Sequence, residues 1–153
     1  MNRLGVVLSL AAVTACHGAP VAPAPAVSWT HGYIVSPAPG SPAVAYLWLT
    51  NSTSSADTVT EVRVGGADSA QVHENMPTGN GMENMERVVA LAVPAHDTLR
   101  LAPGGYHVMV FGIRGTLRAG DSTAVTVTFT HAGDVAGWAR VITYADVDSL
   151  AAR

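Results

Sequence analysis

Val125-Thr-Val-Thr-Phe-Thr130 alternates strictly between apolar and hydroxyl side chains. Period-two alternation is the mark of a strand with one face buried and one face wet. Upstream, Thr60, Val62 and Val64 alternate with Glu61 and Arg63 in the same way. The run Ala43-Val-Ala-Tyr-Leu-Trp-Leu49 is apolar on both faces and reads as a central strand. Further strands are expected at 29–35, 69–74, 85–93, 97–101, 105–113 and 137–144. The breaks between them carry turn chemistry: Ser36-Pro-Ala-Pro-Gly40, Asn51-Ser-Thr-Ser-Ser55, Thr78-Gly-Asn-Gly81, Pro103-Gly-Gly105 and Ala132-Gly-Asp134. Many short strands with frequent turns imply an all-β sandwich or barrel. Trp29, Trp48 and Trp138 are expected in its core, and His31, His96 and His131 at its surface or in turns.

The first fifteen residues read differently. Arg3 precedes a mostly apolar stretch, Leu4 to Val13, and then small residues and a cysteine. This is the layout of a secretory signal, and it is too short to span a bilayer. Val13-Thr-Ala-Cys16 resembles a lipobox, which makes Cys16 the expected lipidation site. The following stretch is rich in Pro and Ala and suits an extended tether. The expected organisation is a signal over 1–15, a lipidated tether over 16–28, one folded domain over 29–147 and a tail over 148–153. The protein is then exported to the periplasm or cell envelope and held to a membrane by lipid alone.

Composition narrows the function. Of 153 residues only 12% are charged, the net charge is −3, and all eight basic residues are arginines. No basic run is present to neutralise phosphates, so nucleic acid is not an expected partner. No nucleophile elbow, phosphate-cradling glycine loop or helical carboxylate pair is found, so no enzyme is expected. Cys16 is the only cysteine. An internal disulfide is therefore impossible, and a metal site in the folded domain must do without thiolate.

Beyond the initiator, every methionine lies between positions 76 and 109: Met76, Met82, Met85 and Met109. His73 and His107 fall in nearly the same window. In His107-Val-Met109 the two outer residues share a strand face, with Cα atoms about 6.5–7 Å apart. Two flexible side chains at that separation can converge on one ion. Thioether sulfur is soft and suits Cu(I). Zinc prefers thiolate, imidazole and carboxylate, and calcium prefers oxygen. The candidate ligands are His73, Met85, His107 and Met109, with Met76 and Met82 as possible auxiliary ligands. Glu83 and Glu86 are read as solvated carboxylates beside the loop.

Eleven residues separate His73 from Met85, twenty-one separate Met85 from His107, and one separates His107 from Met109. This spacing resembles the signature of the PCu(A)C periplasmic copper chaperones, and Leu101-Ala-Pro-Gly-Gly-Tyr-His-Val-Met109 is similar to that family's strand leading into its last two ligands. The likeness runs over about 29–144. It implies a cupredoxin-like Greek-key β-sandwich that binds one Cu(I) through these four residues. It further implies delivery to the copper centres of cytochrome c oxidase, often with a thioredoxin-like partner. One position departs: Glu74 stands where the pattern often has a further Met. A copper buffer or resistance protein would carry the same site, and a non-metal structural lipoprotein would leave the four residues apart.

Overall fold

The computed structural model describes residues 26–79 and 83–151. The segments expected to form the signal and most of the tether, Cys16 included, lie outside them, as does Met82. Ten strands form: β1 (Val27–Val35), β2 (Ala43–Asn51), β3 (Asp57–Val64), β4 (Ser69–Pro77), β5 (Glu83–Val88), β6 (Leu91–Val93), β7 (Asp97–Leu101), β8 (Tyr106–Phe111), β9 (Ser122–Phe129) and β10 (Gly133–Ile142). A short 3-10 turn, Tyr144–Asp146, and a four-residue helix, Asp148–Ala151, follow.

The strands hydrogen-bond in the order β5-β4-β8-β2-β1-β10-β9-β3-β6, and β7 adds to β2. Among the described residues only β1 and β10 pair in parallel. This continuous path folds over on itself. Val108 and Val110 from β8, Leu47 and Leu49 from β2, and Val125 and Val127 from β9 are all buried in one core. The all-β sandwich expected from the alternation is what forms. Each such side chain removed from water stabilises the fold by about 1.5–3 kcal/mol before the entropy of ordering the chain is counted.

Three expectations fail for physical reasons. Trp48 is outside the core: it is half-buried on the other face of β2 from Leu47 and Leu49, against the His31 ring and the Arg100 guanidinium. The apolar run 85–93 is two strands rather than one. Val88 ends β5 opposite Val72 of β4, whereas Leu91–Val93 pairs with β3. These partners lie near opposite ends of the strand order, so the chain must cross over between them, and Val89 is exposed at the crossing. Trp138 is not a core residue either, being 70% exposed. Along β10 the inward positions are the odd ones, ending in buried Ala139 and Val141. The space inside Gly137 is already taken by the indole of Trp29, which also lies against Gly32 and donates its Nε1–H to the carbonyl of Val135 at 3.3 Å.

Buried polar groups are tied to loops. Asn51 donates its amide to the carbonyls of Ser55 and Val93, and its Oδ1 accepts from the N–H and hydroxyl of Thr53. This satisfies the side chain on both sides, as a fully buried amide requires.

A Cβ added at Gly137 would lie 2.5 Å from Cζ2 of Trp29. Gly137→Ala should therefore destabilise the domain by about 1–3 kcal/mol through overpacking. Guanidinium denaturation checks this. The midpoint should fall with the slope unchanged, and an unaltered midpoint would mean that the indole is free to move aside.

Candidate metal centre

The site is built on β8, β4 and β5, and its geometry follows from strand register. Val108 and Val110 are wholly buried in the core. Alternation therefore sends their neighbours His107 and Met109 to the opposite, outer face of the sheet. On β4, His73 stands directly across from His107, and Gln71 stands across from Met109. On the other side of β4, Arg87 is the partner of His73, and Met85 is the partner of Asn75. Cross-strand partners share a face. Gln71, His73, Asn75, Met85, Arg87, His107 and Met109 thus stand together on one face of three adjacent strands.

His73 is at the middle of this group. His107 lies directly opposite on one neighbouring strand, with ring centroids 6.0 Å apart and planes inclined by 38°. Met109 is diagonal to His73 on that same strand, and Met85 is diagonal on the other. Directly opposed Cβ atoms are about 4.5–5.5 Å apart and diagonal neighbours roughly 7–8 Å, within reach of long side chains. The four candidate ligands read from the sequence are brought to one place. The hairpin that returns Met85 turns through Gly79, which has a positive φ of 79°.

Hydrogen bonds set the tautomers of both rings. The Nδ1 of His107 lies 3.1 Å from the carbonyl oxygen of Gly105. A carbonyl only accepts, so Nδ1 carries the proton and Nε2 keeps its lone pair. The Nε2 of His73 lies 3.4 Å from Oε1 of Gln71, so here Nε2 donates and Nδ1 keeps the lone pair. That Nδ1 is buried and has no hydrogen-bond partner. Burial holds the His73 pKa below the ordinary histidine value, and the neighbouring His107 and Arg87 push it the same way. A neutral imidazole with an unpaired lone pair is what a metal requires of a histidine.

Exposure is graded across the site. His107 is 5% exposed, His73 and Met109 are half-buried, and Met85 is 57% exposed. Among the described residues no three His, Cys, Asp or Glu side chains gather as a potential metal site. A hard or borderline cation therefore lacks a carboxylate or thiolate set here. Two imidazoles and two thioethers fit a soft monovalent ion such as Cu(I).

The other sequence candidates fall elsewhere. Met76 is the register partner of Asn84 and takes the opposite face of β4 from His73. Glu74 also faces away from His73, toward Tyr106, with which it hydrogen-bonds. Sequence reasoning did not name Gln71, Asn75 and Arg87. Gln71 and Asn75 share the odd parity of His73 and Arg87 shares that of Met85, so the same alternation contained the signal. A cavity of about 510 Å³ lies between the loops Ser36–Pro42 and Phe111–Leu117 and is lined by no ionisable side chain. It is separate from this face.

Solved structures share this architecture. The copper-bound PCuAC domain from PmoF2 superposes with a TM-score of 0.65 at 25% identity, covering 77% of this chain and 93% of that one. The apo PCuAC domain from PmoF1 gives 0.62 at 26% identity, covering 77% and 94%. The solution structure of CuI-DR1885 from Deinococcus radiodurans gives 0.57 at 26% identity, covering 74% and 76%. The fold is therefore that of a PCuAC domain, as the family resemblance implied. Residues 27–141 match the family described as "Putative lipoprotein LpqE-like", and the chain belongs to that family. A lipoprotein of Leifsonia xyli subsp. xyli, itself described as putative, is 43% identical over 65 residues, which is 42% of this chain. The match spans 39% of that relative's length.

In the metal-free protein the His73 imidazole should titrate below the ordinary value of 6.5. Between that value and its own lower pKa, the unfolded chain binds a proton that the folded one refuses. The contribution of His73 to stability is thus complete above pH 6.5 and is lost as pH falls through the folded pKa. Imidazole resonances followed by NMR will test this. Arg87→Gln should raise the His73 midpoint, and a midpoint at or above 6.5 in the unaltered protein would contradict the geometry.

Proposed function

We propose that this protein is a copper carrier of the cell envelope that binds one Cu(I) through His73, Met85, His107 and Met109. The observation that carries the reading is the outer-face cluster, in which His73 and His107 are a cross-strand pair flanked diagonally by the two methionines. The named relatives include a copper-bound and a Cu(I)-bound PCuAC domain, which supports copper as the cargo. In this reading His73 donates through Nδ1 and His107 through Nε2, the two nitrogens whose lone pairs are left by their hydrogen bonds.

The ligands suit a carrier better than a permanent store. Neutral thioethers bind Cu(I) without a thiolate, so the site cannot be lost to disulfide formation outside the cytoplasm. The open sheet face and the exposed Met85 let an acceptor's ligands approach and displace the weakest donor first. The acceptors that fit are other envelope copper proteins, above all the copper centres of cytochrome c oxidase, with a thioredoxin-like protein as intermediary. Export follows from the signal-like first fifteen residues, and Cys16 serves as the lipid anchor. The family's description as lipoproteins supports both points. Among the described residues no helix is long and apolar enough to cross a membrane. The protein acts by binding, without catalysis. A buffering role would use the same site with no acceptor; loss of oxidase copper on deletion distinguishes delivery from it.

The test is an anaerobic Cu(I) titration against a chromogenic chelator of known affinity. The protein should take up one equivalent. His107→Ala and Met109→Ala should each weaken binding by at least about tenfold, since ligand loss costs no less than loss of an outer-shell partner. Met76→Ala, on the other face, should leave it unchanged. Failure to compete with a weak chelator would overturn the assignment.

A further inference from the structure

Asn75 is the residue of this face that the Cu(I) reading leaves unused. Two buried side-chain atoms among the described residues have no hydrogen-bond partner: Nδ1 of His73 and Oδ1 of Asn75. They belong to the same strand, two positions apart, and therefore to the same face. Buried polar atoms are nearly always paired, so two orphans side by side call for one explanation. His73 Nδ1 has been assigned to copper; Asn75 Oδ1, two positions along the same face, has no role.

The surroundings of Asn75 orient it. Its Nδ2 donates to Oε2 of Glu83 at 3.0 Å. Reversing the amide would set its oxygen against that carboxylate, so the carbonyl end is held inward by charge. On one side its register partner is Met85. On the other its backbone N–H donates to the carbonyl of Gly105 at 3.3 Å. That same carbonyl accepts Nδ1–H of His107. Asn75 is thus placed between a thioether and an imidazole of the site, opposite a glycine that contributes no side chain.

We propose that Asn75 Oδ1 is an oxygen donor that lets this site accept Cu(II) as well as Cu(I). The inference rests on the reading of His73 and His107 as copper ligands. Cu(II) favours nitrogen and oxygen in tetragonal arrangements, whereas thioethers favour Cu(I). The two imidazoles serve either oxidation state. Met85 and Met109 complete the set for Cu(I), and the Asn75 amide oxygen adds to the imidazoles for Cu(II). The carrier can then be loaded from either form of copper available outside the cytoplasm.

The experiment uses the full chain, with Cu(II) titrated aerobically and read by electron paramagnetic resonance and competition, and Cu(I) titrated anaerobically in parallel. The site's Cu(II) signal is the one abolished by His73→Ala. Asn75→Leu should weaken that Cu(II) binding by about tenfold or more and shift its hyperfine splitting, with Cu(I) affinity within about threefold of the parent. Asn75→Asp, which keeps an oxygen and adds charge, should strengthen Cu(II) binding. Identical Cu(II) affinity and spectra in both variants would overturn the inference. So would a parent protein that binds Cu(I) but no Cu(II), or a parallel loss of both oxidation states in Asn75→Leu and Asn75→Asp, which marks a structural role. A parent that binds neither ion removes the copper reading itself.

Discussion

The register between β4 and β8 is the constraint on which the rest depends. It places His73 opposite His107 on the outer face and Val72 opposite Val108 in the core. A slip of one residue would carry the imidazole pair inward and expose the valines, because strand faces alternate. The buried valines therefore do more than fill the core. By preferring the interior they hold the histidines outside, and hydrophobic burial fixes the geometry of a polar site on the far side of the same strand. The site needs no cavity of its own. It uses the surface of a sheet whose other surface supplies the stability.

Parts of this were legible in the chain. The alternation of Val125, Val127 and Phe129 with threonines gave β9, and the two-sided run Ala43–Leu49 gave a strand with neighbours on both edges. The pairing of His107 with Met109 needed only the strand period. Met85 was harder, because its position depends on a hairpin whose register no local pattern specifies. The split of 85–93 was not legible, since an apolar run looks the same whether it pairs with one strand or crosses between two. Trp138 misled for a related reason. Its hydrophobicity suggested the core, but the indole of Trp29 occupies the space over Gly137, a contact between distant segments. Asn75 and Arg87 share the parity of the candidate ligands, but single polar residues on a strand ordinarily face solvent, so parity alone does not single them out until three strands are aligned.

The exposure gradient has a consequence for exchange. His107 is buried and its ring is anchored to the Gly105 carbonyl, so it resists displacement. Met85 is exposed on an edge strand. In the proposed carrier, an incoming ligand on a partner would meet Met85 first and His107 last. Stepwise replacement from the exposed side would keep a transferring ion coordinated throughout, which a buried cage does not allow without opening. Glu74 contributes nothing to this gradient because it faces Tyr106 on the other side.

Charge is the remaining element of the design. The four proposed ligands are all neutral, so a bound Cu(I) keeps its full positive charge. Arg87 adds a second positive charge beside His73, and nothing among the described residues pairs with it. Glu83, on the same face of β5 as Arg87, is held by the Asn75 amide. A dication at the same place would meet stronger repulsion from Arg87 by a factor of two at equal distance, as Coulomb's law requires. Cu(II) is therefore admitted only to the extent that an oxygen dipole offsets that repulsion, and Asn75, with its donor end turned to Glu83 and its oxygen left free, is the group in a position to provide it. The guanidinium and the amide thus act in opposite directions on a dication held by the same imidazoles, while the two thioethers favour the monovalent ion.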